Sequence, residues 1–110
     1  MANDEAKFLD IGEAEELRSK AGKRYHEFLR VPAMSAGLYA LPAGGVDSQS
    51  PHKEDEIYYV LRGKARMRAG AREQAVHPGS VIFVAAEVEH RFYEIQEELA
   101  VLVFFAPAES

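Results

Sequence analysis

Short runs of apolar and alternating apolar and polar residues fill most of the chain, over 24–30, 34–41, 56–62, 64–69, 72–77, 80–85, 90–95 and 98–105. Each run is strand-length and is closed by Gly, Pro or charged residues, so the pattern predicts eight short strands in an antiparallel sandwich or barrel. Arg62-Gly63-Lys64, Ala69-Gly70-Ala71 and His77-Pro78-Gly79-Ser80 supply the turns between neighbouring runs. Only the start of the chain carries a helical signal. Asp10 can cap a helix with Glu13 three residues on, Ala14, Leu17 and Ala21 fall on one face, and Gly22 can stop it. Residues 1–23 are therefore expected to form a helical segment packed on the barrel.

Two runs depart from alternation. Val81-Ile82-Phe83-Val84 and Leu99-Ala100-Val101-Leu102-Val103-Phe104-Phe105 are apolar at successive positions, the pattern of strands buried on both faces. One face can look into a barrel lumen. The other needs a second sheet, the helix or another subunit, and a homodimer is expected on that ground.

At 110 residues, with 47% hydrophobic and 28% charged positions, the chain has room for one globular domain over 1–110. It contains no cysteine, which leaves His, Asp and Glu as metal ligands and favours a reducing compartment. A formal net charge of −5 with scattered Lys and Arg speaks against a nucleic-acid partner. The sequence has neither a secretory pattern at its start nor an apolar stretch of membrane-span length, so a cytoplasmic protein without a membrane partner is expected.

The chemistry concentrates between Gly44 and Gly63 and around His90. His52 and Glu56 stand four residues apart, which on one straight strand would separate their Cα atoms by roughly 13 Å, too far for one ion. The chain must bend through Lys53, Glu54 and Asp55 before the strongly β-forming Ile57-Tyr58-Tyr59-Val60-Leu61. His90 opens a run in which alternation puts His90, Phe92 and Glu94 on one face. Two imidazoles and one carboxylate form a facial-triad ligand set with open coordination positions. Glu54 and Asp55 are alternative carboxylates on this reading.

The order Gly44, five residues, Ser50, one residue, His52, three residues, Glu56, six residues, Gly63 resembles the first motif of the cupin superfamily, with serine in place of its first histidine. Gly79, Ala85, Glu87, His90 and Glu94 lie where the second motif has Gly, Pro, Gly, His and Asn. The resemblance, to the small conserved-barrel type, implies an all-β antiparallel barrel or jelly roll with a metal near its mouth. It implies His52, Glu56 and His90 as ligands of one divalent ion (Fe, Mn, Zn, Ni or Cu), Glu56 being the carboxylate six residues before Gly63, and marks Ser50 as the lost fourth ligand.

His26 and His77 have no acidic partner at useful spacing and read as ordinary structural residues, while the acids from Asp47 to Glu56, Glu87 and Glu89 read as a solvated rim. Tyr58, Glu94 and Ser50 are the catalytic candidates by their nearness to the triad, and Tyr58 and Phe92 the pocket-lining ones. The function expected is a metalloenzyme acting on a small organic molecule, a dioxygenase or an isomerase or lyase. The alternative is a non-catalytic module that binds a small metabolite or sugar. The fold alone does not separate them.

Overall fold

A computed structural model describes residues 5–110. One helix, α1 (Ile11–Ala21), precedes six strands: β1 (Tyr25–Val31), β2 (Met34–Leu41), β3 (Asp55–Ala69), β4 (Arg72–Val76), β5 (Val81–Val84) and β6 (His90–Ala106). All observed pairings are antiparallel, in the order β1-β2-β6-β3-β4, with β5 also on β3. Eight expected runs became six strands because two pairs of runs fused. Residues 56–62 and 64–69 lie within β3, and 90–95 and 98–105 within β6.

The fusion makes β3 and β6 the spine of the barrel. The first half of β3 pairs with the last third of β6, from Asp55↔Ala106 to Val60↔Val101, and its second half with the start of β6, from Arg66↔Tyr93 to Ala69↔His90. Between them lie irregular pairings on either side of Gly63, where bulges sharpen the local twist. Gly63 has φ +100°, and a Cβ there would lie 2.3 Å from the Glu98 carbonyl oxygen and 2.7 Å from Leu99 Cα. Backbone meets backbone at this corner, so only glycine fits. The turn signal in the sequence is thus a bend within one strand instead of a hairpin.

The lumen is filled by Tyr58, Val60, Met67, Phe92, Ile95, Leu99, Val101, Val103 and Phe105, all no more than 4% exposed. Fully burying a side chain of this size contributes roughly 1.5–3 kcal/mol. Outside, a smaller cluster of Ala14, Leu38 and Ala100, flanked by Phe28, Leu61 and Leu102, seats α1 on the sheet.

The helix begins where expected. The Asp10 carboxylate accepts from the Glu13 amide at 3.0 Å, and Gly22 closes it at φ +66°. Its packing face is narrower than the sequence implies: Ala14 is buried, whereas Leu17 and Ala21 are exposed. Arg62 of β3 compensates by pairing with Glu15 of the helix and with Glu98 of β6.

The two apolar runs differ in outcome. Leu99–Phe105 is enclosed as expected, its odd positions in the lumen and Ala100 and Leu102 in the outer cluster with the helix. Val81 and Phe83 of β5, by contrast, are 65% and 61% exposed, because β5 lies on the outer edge of β3 beyond the reach of α1. Among the described residues no helix is long and apolar enough to cross a membrane.

Candidate metal centre

The loop from Pro42 to Glu54 crosses one mouth of the barrel and delivers His52, β3 delivers Glu56 and Tyr58, and β6 delivers His90. The bend at Lys53 and Glu54 brings His52 back over the start of β3. One nitrogen of each imidazole and a carboxylate oxygen of Glu56 all lie within 4.8 Å of one another. His90 Nε2 is 3.1 Å and His52 Nε2 3.9 Å from Glu56 Oε1. Atoms bound to one ion at about 2.0 to 2.2 Å stand roughly 3 to 4 Å apart, and both contacts with Glu56 fall in that range.

The chemistry of the set is that of a cation site. His90 Nδ1 lies 2.9 Å from the Val88 carbonyl oxygen. That oxygen only accepts, so in the neutral ring Nδ1 carries the proton and Nε2 presents its lone pair to the centre. Glu56 is 2% exposed, and neither carboxylate oxygen has a hydrogen-bond partner among the described residues. A buried carboxylate without donors is costly, and a divalent ion among these atoms satisfies it.

Without a cation the cluster attracts a proton. Burial opposes the charged form of His90, but contact with Glu56, the Val88 carbonyl and the charges of Glu56 and Asp47 outweigh it and raise the imidazole pKa above its ordinary value. Tyr58, with no exposure, sits 3.0 Å from His90 Nε2 and 5.0 Å, ring to ring, from Phe92. Burial and the neighbouring Glu56 charge hold its hydroxyl pKa well above 10. It faces the centre as a hydrogen-bond donor.

Other candidates are placed differently. Glu54 is buried and accepts the Ser110 amide at 3.1 Å, and Asp55 caps the Ala86 amide at 2.9 Å, so both are engaged elsewhere and neither joins the cluster. Glu94 has φ +49° and is exposed. A bulge there breaks the alternation that would have aligned it with His90 and Phe92, and Ile95 turns inward in its stead. Ser50 is also exposed, and its neighbour Gln49 points inward. Alternation holds along a strand, and 42–54 is loop.

Two of the departures from the family pattern have a backbone explanation. Glu87 stands where glycine is usual and adopts φ +69°, and Glu94, where asparagine is usual, is also left-handed. The backbone keeps the conformation that Gly and Asn favour although the residues have changed. Glu87 still donates its amide to the His52 carbonyl at 2.7 Å, which ties the second motif's loop to the first motif's histidine.

Sequence reading missed three contributors. Asp47 is 4% exposed, not part of a solvated rim, and accepts from Tyr39 Oη at 2.7 Å, from Gln49 Nε2 at 2.9 Å and from the Phe92 amide at 2.9 Å. Gln49 Oε1 lies 3.1 Å from Tyr58 Oη and 3.2 Å from His52 Nε2. Glu109, in the C-terminal tail, places Oε2 3.4 Å from His52 Nδ1. Burial, with the charges of Glu56, Glu54 and Glu27, raises its pKa despite the opposing pull of His52. The tail is held by Glu109 N–H to Ser35 Oγ at 2.9 Å and by Arg30 to the Glu109 carbonyl at 2.7 Å.

Two cavities flank the centre. One of about 390 Å³ adjoins His90 and is walled by Gln49, Pro51, Arg68, Glu89 and Arg91. The other, about 190 Å³, adjoins His52 between Tyr25, Tyr39, Phe105 and Glu109. Tyr25 Oη is buried there without a partner among the described residues.

A barrel of this topology with histidine and carboxylate groups at its mouth defines a class, and the comparisons agree. The cupin domain family model matches residues 37–106, and the chain belongs to that family. It is 46% identical over 104 residues to an uncharacterized protein of Streptomyces coelicolor, covering 94% of this chain and 99% of that one. Among solved structures it is similar to TT1209 of Thermus thermophilus, with TM-score 0.73 and 25% identity over 94% of this chain and 99% of that one. The DMSP lyase DddQ of Ruegeria pomeroyi shares the fold at TM-score 0.67 and 20% identity, over 80% of this chain and 49% of that one.

Proposed function

We propose that the protein is a metalloenzyme that holds one divalent ion through His52, Glu56 and His90 and acts on a small organic molecule. Glu56 carries this reading: a buried carboxylate with no hydrogen-bond partner, facing two imidazole nitrogens. When bound, the ion supplies Lewis-acid or oxygen-activating chemistry at open coordination positions. Tyr58 adds a protonated hydroxyl that can donate to a developing negative charge. Isomerase or lyase chemistry uses both features, and the shared fold of a lyase is consistent with it. Dioxygenase chemistry uses the open positions alone.

The second reading, a binding module for a small metabolite or sugar, rests on the 190 Å³ cavity with its unpartnered Tyr25 hydroxyl, which could hold a ligand beside the ion. Enhanced water-proton relaxation in Mn²⁺-loaded protein is expected, since it reports exchangeable coordination positions. A protein that takes up no metal, yet binds a small ligand equally well after combined His52→Ala and His90→Ala changes, belongs to the second reading.

A homodimer is part of the proposal. Val81, Phe83, Ile57 and Tyr59 are 40% to 65% exposed on paired strands, an apolar patch that a second copy can cover. Light scattering at micromolar concentration should give twice the chain mass, reduced to the chain mass by Phe83→Asp. A monomeric wild type would remove this part.

A further inference from the structure

The atom that Ser50 does not supply is supplied one residue earlier. Gln49 presents its side-chain oxygen to His52 Nε2 at 3.2 Å and to Tyr58 Oη at 3.1 Å. Its amide orientation is not arbitrary, because the other end meets Asp47 Oδ2 at 2.9 Å. A carboxylate only accepts, so the NH₂ group must face Asp47 and the carbonyl must face the centre. Asp47 is itself fixed by Tyr39 and by the Phe92 amide.

The His52 contact then poses a problem. Glu109 lies on the Nδ1 side and Gln49 Oε1 on the Nε2 side, and both are acceptors. A neutral imidazole has one N–H. If the carboxylate takes it, the Nε2 lone pair faces a carbonyl lone pair at 3.2 Å. The same region holds the His90 Nε2 lone pair and the orphaned Glu56 carboxylate, with Tyr58 Oη as the nearby hydroxyl donor. The Tyr58 hydroxyl has a single proton for Gln49 Oε1 and His90 Nε2, so the lone pairs that four side chains turn to one centre outnumber it and are satisfied together by a cation.

We propose that Gln49 Oε1 is the fourth protein ligand of the ion, held in place by Asp47, so that this chain's site is an amide, a carboxylate and two imidazoles. The assignment rests on the metal-binding reading of His52, Glu56 and His90 and extends it. The amide oxygen is neutral and hard, so it fills a position without cancelling further charge, and it leaves the ion more electron-poor than a second carboxylate would.

Co²⁺ is the probe, through chelator-competition affinity and its visible absorption at saturation. Gln49→Leu keeps the size of the side chain and removes the donor atom. It is expected to lower Co²⁺ affinity by about tenfold or more, at least the loss seen when an outer-shell partner is removed, and to shift the absorption band. Ser50→Ala, one residue on and exposed, should leave both unchanged. Thermal melting of the metal-free Gln49→Leu protein should match wild type, which separates loss of a ligand from loss of the fold. The spectrum decides: a Gln49→Leu band identical to wild type shows that Gln49 does not touch the ion and overturns the assignment while leaving the three-residue site intact. Wild-type protein that takes up no Co²⁺ overturns the underlying reading and this assignment with it.

Discussion

The two imidazoles of the centre are alike in chemistry and opposite in how they are held. His90 begins β6, its side chain is 1% exposed, and the Val88 carbonyl two residues away fixes its tautomer. His52 sits in a loop, its side chain is 18% exposed, and the carboxylate turned to its Nδ1 comes from the C-terminal tail. One proposed ligand is set by local backbone, which any sequence with this turn would provide. The other is set by a side chain at residue 109, which a single substitution can remove. Two members of one proposed ligand set thus carry different sensitivities to mutation, and an order of effects follows.

His90→Ala should be the most damaging change. It removes the rigid, fully enclosed member of the proposed ligand set and the imidazole nearest to Glu56, at 3.1 Å, which leaves that buried carboxylate with only the more distant His52 ring. Metal affinity should fall by more than the roughly 10- to 100-fold typical of an outer-shell loss. Chelator competition on the single mutants measures it, and a smaller loss for His90→Ala than for His52→Ala would reverse the comparison.

Glu109→Gln comes next. With no charge to hold the Nδ1 proton of His52, affinity should drop by about 10- to 100-fold, while Val88→Ala, which keeps the carbonyl, should change it by less than about twofold. Equal losses for the two variants would erase the distinction between tail-held and backbone-held ligands.

Titration provides a third test. The His90 pKa is raised in the folded, metal-free protein. Its contribution to stability is therefore fully present below the unfolded value near 6.5 and is lost as pH rises through the higher folded value. Metal binding must displace that proton, so apparent affinity should begin to fall on acidification from above about pH 6.5. Affinity that is flat down to about pH 6 would contradict the His90 assignment. The smallest effect belongs to Glu87→Gly, which relieves a left-handed residue on the loop bonded to His52 and should stabilise the fold by about 0.5–1 kcal/mol with metal affinity unchanged. Thermal melting and the same competition assay check it.

The legible parts of this molecule were those governed by local periodicity. The strands, the helix caps at Asp10 and Gly22, and the bend between His52 and Glu56 follow from residue pattern and spacing. What escaped depends on where periodicity stops. The loop 42–54 has no strand register, so Ser50 and Gln49 could not be ranked, and the left-handed turn at Glu94 cancels an alternation that would otherwise carry it inward. Glu109 lies 57 residues beyond His52, and only the folded tail brings them together. Val81 and Phe83 share the apolar continuity of Leu99–Phe105, but sequence does not say which of two such strands lies under the helix and which at the edge.

The proposed metal site is His52, Glu56 and His90. Elemental analysis of purified wild type after loading and exhaustive dialysis, beside the His52→Ala, His90→Ala double mutant, tests it most directly. About one divalent ion per wild-type chain and essentially none in the double mutant are expected, because a lone carboxylate and an amide do not retain it. Stoichiometric metal in the double mutant, or none in the wild type, would contradict it.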